Sequence, residues 1–256
     1  MRHDDMIRVL GPIDLLAHGR PRSVGGRNAR RLLGALVVGA GRSISIHQLQ
    51  WSLWGDTPPR SATSSLQTYI ARLRHRLGSE TIERSDHCYR LVVERHQIDA
   101  IRLEDLLTGA PAPRDDPQRC LDICTEGLAL WRGDPFGDFV DDEPFRLESA
   151  RLGELRVSLN ELALECELVL GRSDIVAAEL ESAVEEYPYR ERLWYLLIDA
   201  LASDGRRVEA LRACSRLREV LAEAGLEPGE RLTRVEQEIL TDAPHEAERA
   251  QRDDGH

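Results

Sequence analysis

Arg72, Arg74, His75 and Arg76 put four basic side chains into five positions, and the turns before them carry Ser64, Gln67 and Thr68. Guanidinium forks suit bidentate contact with phosphate and guanine. Short hydroxyls and amides reach base edges where bulk would not fit. Such a set binds a polyanion; it does not break bonds. With Leu66 at zero and 100° per residue, Ala62, Tyr69, Ile70, Leu73 and Leu77 fall within about 60° of it, the apolar stripe of an amphipathic helix. Ser64, Thr68, Ala71, Arg72 and His75 fall opposite, bordered by Arg60 and Gln67. Arg74 and Arg76 lie on the two flanks. No acid occurs in residues 60–77, whereas ordinary solvated faces mix signs. The spacing predicts a slim basic helix that fits the DNA major groove. Ser64, Gln67, Thr68 and Arg72 are placed for bases or groove, and Arg60, Arg74 and Arg76 for the phosphate walls.

Catalytic and metal chemistry finds no such constellation. The chain has no lysine, so no lysine-bearing phosphate loop, and it lacks H-E-x-x-H and paired C-x-x-C. "GALVVGAG" is Gly-rich but reads as an apolar helix. Cys88, Cys120, Cys124, Cys166 and Cys214 are an odd number without ligand spacing, which predicts buried thiols in a reducing cytosol. The four tryptophans sit at helical positions and are expected in the core, Trp51 least clearly. Asp141, Asp142 and Glu143 read as an acidic cluster at a helix N-terminus. No catalytic residue, metal or cofactor is expected.

The charge is unevenly distributed. The 256 residues carry a net −11, all 34 Lys+Arg being Arg. Residues 1–100 hold 15 Arg against 9 acids, a net +6, and the remainder is net −17. A basic front and an acidic back point to nucleic-acid contact by the front. The Arg-only usage fits a GC-rich genome. No apolar run is long enough to span a membrane, and "MRHDDMIRVLG" has no signal-peptide core. A cytoplasmic, nucleoid-associated protein is expected.

The elements that must position the basic helix are also legible. "MIRVLGPIDLLAHGRPRSV" reads as short strands broken at Gly11-Pro12 and His18-Gly19. "NARRLLGALVVGAG" reads as a buried helix capped by Asn28 and ending near Gly39 or Gly41. Ser45 caps a second helix, "IHQLQWSLWG". After "DTPP" comes the basic helix, then two strands, "TIERS" and "YRLVVE". This is a winged helix-turn-helix. Arg84, His87 and Arg90 belong to its wing. Arg27, Arg30 and Arg31 open the first helix, where the dipole also favours phosphate. Beyond "GAPAPRDDP" (109–117), helices are expected over 118–131, 143–170, 173–187, 190–204, 206–224 and 228–240. Gly171-Arg172 and Gly205-Arg206 recur 34 residues apart, the period of tetratricopeptide hairpins.

These motifs together resemble the Streptomyces antibiotic regulatory protein family of transcription activators. They are "LWGDTPPRSATSSLQTYIARLRHRLG" and "YRL" in the front, then "ALWRGDPFGDF", "RLGELR" and "YPYRERLWYLLIDALASDGRRVEALRACSRLREVLAEAGLEPGERL". The resemblance covers about residues 6–241. It implies a mainly α protein with a small β portion: an OmpR/PhoB-type winged helix at 1–99, a tetratricopeptide-like bacterial transcriptional activator domain at 100–242, and a disordered tail at 243–256. It further implies binding to direct repeats in double-stranded promoter DNA, with a second copy, and recruitment of RNA polymerase including its sigma factor. The turn bearing Asp56, Thr57 and Pro58 is expected to face polymerase, and the targets to be secondary-metabolite genes. Cys88 stands where the family usually has Gly before "YRL", so the wing is expected to bend differently or to contact DNA less closely. With no receiver domain before the winged helix and nothing after the helices, a small stand-alone member is expected. The rivals are a scaffold whose helical repeats bind peptides, and a repressor with the same DNA contacts.

Overall fold

The structure is a computed structural model that describes residues 5–241. The expected tail at 243–256 lies outside the described residues. The fold is mostly helical with two small sheets. It divides into two compact units. One takes in the chain up to Ala110 together with Asp122–Leu159; the other holds Pro111–Leu121 and the chain from Asn160 onward.

The first unit starts with an antiparallel sheet of β1 (Met6–Arg8), β2 (Asp14–Ala17) and β3 (Arg20–Arg22), in that order. His18 and Gly19 both take positive φ, 54° and 69°. This two-residue turn matches strand twist and sets the register Ala17↔Arg20. Next come α1 (Arg27–Val38), β4 (Ile44–Ser45), α2 (Ile46–Trp54) and α3 (Ala62–Leu77). Ser45 caps α2 as expected, in a reciprocal capping box with Gln48. The cap of α1 is Gly26, not Asn28. The Asn28 amide donates instead to the Tyr69 hydroxyl at 3.1 Å, which ties α1 to α3. β5 (Ile82–Ser85) and β6 (Cys88–Leu91) form the wing, and β6 pairs with β4 on its other side. The wing's positive φ falls on Asp86, at 45°. Cys88 is a strand residue opposite Ser85 and Ser45 and does not take the positive φ that a glycine would permit.

The segment 122–159 belongs to this unit, which differs from a boundary drawn at residue 99. α4 (Asp99–Thr108) begins with a fully buried acid. The Asp99 carboxylate accepts from Val9 N at 2.8 Å, Leu10 N at 3.0 Å and Ala100 N at 2.8 Å. Burial pushes its pKa up to about 6. After α5 (Pro117–Ala129) the chain returns to the β1–β2 turn. Arg132 N donates to Leu10 O at 2.8 Å, and Phe136 N donates to Val9 O at 2.7 Å. Phe136, Phe139 and Phe145 stack with centroids 5.1 and 5.7 Å apart. Gly34 of α1 faces this stack so closely that a Cβ there would lie 2.8 Å from Phe145 and from Ile13.

The second unit is all helical: the C-terminal part of α6 (Arg146–Val169), then α7 (Ser173–Glu186), α8 (Glu191–Ser203), α9 (Arg207–Glu223) and α10 (Glu230–Thr241). Gly171 and Gly205 end their helices identically, at φ 81° and 74°. The next residue's N–H returns to a carbonyl five positions back, Arg172 to Glu167 and Arg206 to Leu201. Gly225 repeats the motif after α9. Trp194 is buried and donates to Pro188 O at 2.8 Å, pinning the turn between α7 and α8. Cys120, Cys124, Cys166 and Cys214 are buried and outside any disulfide, and Cys88 is half-buried. Among the described residues no helix is long and apolar enough to cross a membrane.

Candidate nucleic-acid interface

α3 packs one stripe inward and leaves the other open. Ala62, Leu66, Ile70, Leu73 and Leu77 are buried; each large member stabilises the fold by about 2 kcal/mol. Ser64, Gln67, Thr68, Ala71, Arg72 and His75 are exposed. The Ser64 hydroxyl donates to Ser61 O at 3.0 Å and the Thr68 hydroxyl to Ser64 O at 2.9 Å. Both protons are spent on the helix backbone, so both oxygens present acceptor lone pairs outward. Gln67 adds an amide beside them. Arg60 and Arg72 are exposed and have no acid partner among the described residues. α3 is held at both edges. The Gln50 amide donates to Thr63 Oγ1 at 3.0 Å, and Tyr69 accepts from Asn28.

Other basic residues have structural work. Arg74 donates twice to Ile82 O, at 2.9 and 2.6 Å, and so braces α3 against β5. Arg76 reaches Ser23 O at 3.4 Å and stays exposed. In the wing Arg84 and His87 are exposed at the tip side, while Arg90 pairs with Glu83 at 2.6 Å. Asp56, Thr57 and Pro58 form an exposed turn after α2.

The arginines of α1 depart from expectation. Arg31 pairs with Asp142 and donates to Ser52 O and Glu143 O. Arg30 pairs with Asp138 at 3.3 Å, and Arg27 with Asp142 at 3.4 Å. Arg27 also lies 4.7 Å over the Phe139 ring. Two carboxylates, Asp138 and Asp142, thus offset most of the charge of Arg27, Arg30 and Arg31 inside the unit, which sets these three apart from the arginines at α3. Of the acids read as a helix N-terminal cluster, Asp142 is the counter-charge of Arg27 and Arg31, while the Glu143 carboxylate pairs with Arg146 at 3.0 Å. Asp142 bridges to α1 while its carbonyl receives Phe145 N and Arg146 N. Sequence reasoning missed this because the pairs span 108–115 positions.

The second unit carries a different feature, an open groove of about 1310 Å³ between α8, α10 and the end of α6. Tyr195, Leu168 and Val235 line it together with Asp199 and Arg231. Arg231 stacks 4.0 Å from the Tyr195 ring, and burial pushes the Asp199 carboxyl up. No cluster able to hold a metal ion occurs among the described residues.

Comparison with known proteins adds the following. The family model described as bacterial transcriptional activator domain matches residues 98–240. Regulatory protein AfsR of Streptomyces griseus is 33% identical over 91% of this chain and 24% of its own length. Transcriptional regulatory protein EmbR of Mycobacterium tuberculosis is 31% identical over 94% of this chain and 65% of its own length. The chain thus spans about a quarter of AfsR and just under two thirds of EmbR. Regulatory protein DnrI of Streptomyces peucetius is 32% identical over 93% of both chains. The solved structure of Mycobacterium tuberculosis EmbR in complex with low affinity phosphopeptide matches with a TM-score of 0.83. Its identity is 28%, and it covers 94% of this chain and 66% of that one.

Proposed function

The chain belongs to the Streptomyces antibiotic regulatory protein family of transcriptional regulators, and from that premise we propose that it binds promoter DNA through α3 and activates transcription by recruiting RNA polymerase. The observation that carries this reading is the open face of α3: acid-free, lean at its centre, and bordered by the guanidiniums of Arg60 and Arg72, which have no acid partner among the described residues. A narrow helix enters the major groove and brings Ser64, Gln67, Thr68 and Arg72 to base edges. Arg60 and Arg76 meet the phosphate walls, and Arg84 and His87 carry the wing to the backbone or minor groove. The turn at Asp56, Thr57 and Pro58 is left free for polymerase and its sigma factor. Direct repeats place a second copy head to tail, which needs no closed twofold interface. Secondary-metabolite genes are the proposed targets.

Genome-wide mapping of bound sites, followed by footprinting of the full chain on one of them, tests the reading. A protected direct repeat is expected, with log affinity falling by about 0.9 per neutralised phosphate against log salt. No enriched site and no protection would sink it. Run-off transcription with purified polymerase separates activator from repressor. The groove of the second unit favours one alternative, a scaffold that takes a peptide between α8 and α10. Peptide capture without a DNA footprint would select it.

A further inference from the structure

We infer that Arg20 and Arg22 of β3 form a second phosphate-binding element beside α3, extending the DNA footprint to the edge of the first sheet. The inference rests on the α3 reading and adds a surface to it. β3 is an edge strand, and Arg20, Pro21 and Arg22 are all exposed. Its register is Leu15↔Arg22 and Ala17↔Arg20. Directly opposed residues of antiparallel strands project to the same face, and Leu15 is buried. The two arginines therefore share the face that the sheet turns toward the core, while Pro21 takes the other. At the edge strand that face runs past the core into solvent.

The segment that follows β3 lies against the C-terminal turn of α3. Ser23, the residue after β3, accepts from Arg76 at 3.4 Å. Two positions on, Gly25 lies so near that a Cβ would come within 2.6 Å of the Arg76 guanidinium. Arg76 and Arg72 are four residues apart on α3, which puts them on one flank. Arg22, the neighbour of Ser23, therefore lies near the C-terminal end of that flank, and Arg20 follows two residues away on the same face of β3. Neither has an acid partner among the described residues, in contrast to every arginine of α1. A duplex whose phosphate wall runs along Arg72 and Arg76 continues toward Arg22 and Arg20. Arginine and proline on an exposed edge also block strand-to-strand aggregation, and the experiment must separate that role from DNA contact.

Full-length wild type, R20A/R22A and R20K/R22K are titrated by fluorescence anisotropy against the mapped site and a scrambled duplex, over a series of salt concentrations. Sedimentation velocity of each protein accompanies the titrations. The alanine pair is expected to flatten the salt slope by about 1.8, two phosphates' worth. Specific and non-specific binding should weaken together, leaving their ratio unchanged. The lysine pair should restore most of the slope, since a phosphate accepts a point charge. An unchanged slope in the alanine pair, with normal wild-type binding, overturns the inference alone, whether or not that variant self-associates. A wild type that binds neither duplex removes the α3 reading and this inference with it.

Discussion

Arg27, Arg30 and Arg31 on α1 and Arg60 and Arg72 at α3 belong to one basic stretch, yet their surroundings are opposite. The α1 set faces Asp138, Asp142 and the Phe139 ring, and those two carboxylates offset most of its charge within the unit. The α3 set faces solvent with no acid partner among the described residues. The net +6 of the front hundred residues therefore overstates the charge offered to a ligand and understates what holds segment 122–159 in place. A guanidinium that already has a carboxylate is half of a fastening; one without it is available to a phosphate.

The fastening side gives the largest expected effect. Asp99 has its pKa raised from 3.8 to about 6 by burial, against the pull of three backbone N–H donors and Arg132. The folded state thus binds this proton more tightly than the unfolded chain does. Its contribution to stability is fully present below about pH 4 and falls by about 3 kcal/mol as pH rises through 6. Denaturant unfolding of wild type and Asp99→Asn at several pH values should show that decline in wild type alone. Comparing the two cancels the opposite slope from Glu236, whose pKa the Arg218 partner lowers. Parallel stability curves would mean that Asp99 is not strained by its burial.

Next comes Asp142→Ala, which turns fastened arginines into free ones. Losing the charge-assisted bonds to Arg31 and Arg27 should cost about 2–3 kcal/mol, read as a lower unfolding midpoint. The same variant asks where α1 lies relative to DNA. If Arg27 and Arg31 point away from the duplex, the salt slope of binding stays at the wild-type value, and this is the expected result. A steeper slope would show that the released guanidiniums reach phosphate and that pairing alone had kept them from it.

These pairs also mark what could be read from the chain without coordinates. Ser45, the His18-Gly19 turn and the Gly171 and Gly205 stops are local: each acts on residues within five positions, so residue type alone reveals it. The stripe Leu66, Ile70, Leu73 and Leu77 is periodic and equally plain. Asp142 with Arg31 is neither, being separated by 111 positions and specified only by tertiary packing. The brace that Arg74 makes is hidden for the same reason, because its acceptor is the backbone carbonyl of Ile82, which has no residue-type signature. Asn28 had two possible jobs, cap or bridge, and only the position of Tyr69 decides between them.

On the open side, Arg72→Ala should weaken binding to the true site by about 1–3 kcal/mol if Arg72 reads a base, with little loss on scrambled DNA. Equal losses on both duplexes would reassign Arg72 to phosphate. Neither outcome should shift the unfolding midpoint, because no side-chain partner is lost within the unit. That combination, affinity without stability, is the reverse of what Asp142→Ala should produce.

The finest test concerns Thr68, where the two functions meet in one hydroxyl. Its proton goes to Ser64 O at 2.9 Å, and its lone pairs face outward. Valine has the same shape and branching but no acceptor. A hydroxyl-to-backbone bond within a helix adds little to stability, so Thr68→Val should leave the midpoint and the salt slope unchanged. If the oxygen accepts from the amino group of an adenine or cytosine, the variant loses about 1 kcal/mol at one base position and is indifferent to that base. If the groove touches only the methyl group, wild type and variant read the same sequence with equal affinity. Recognition by α3 then rests on Arg72, Gln67 and Ser64.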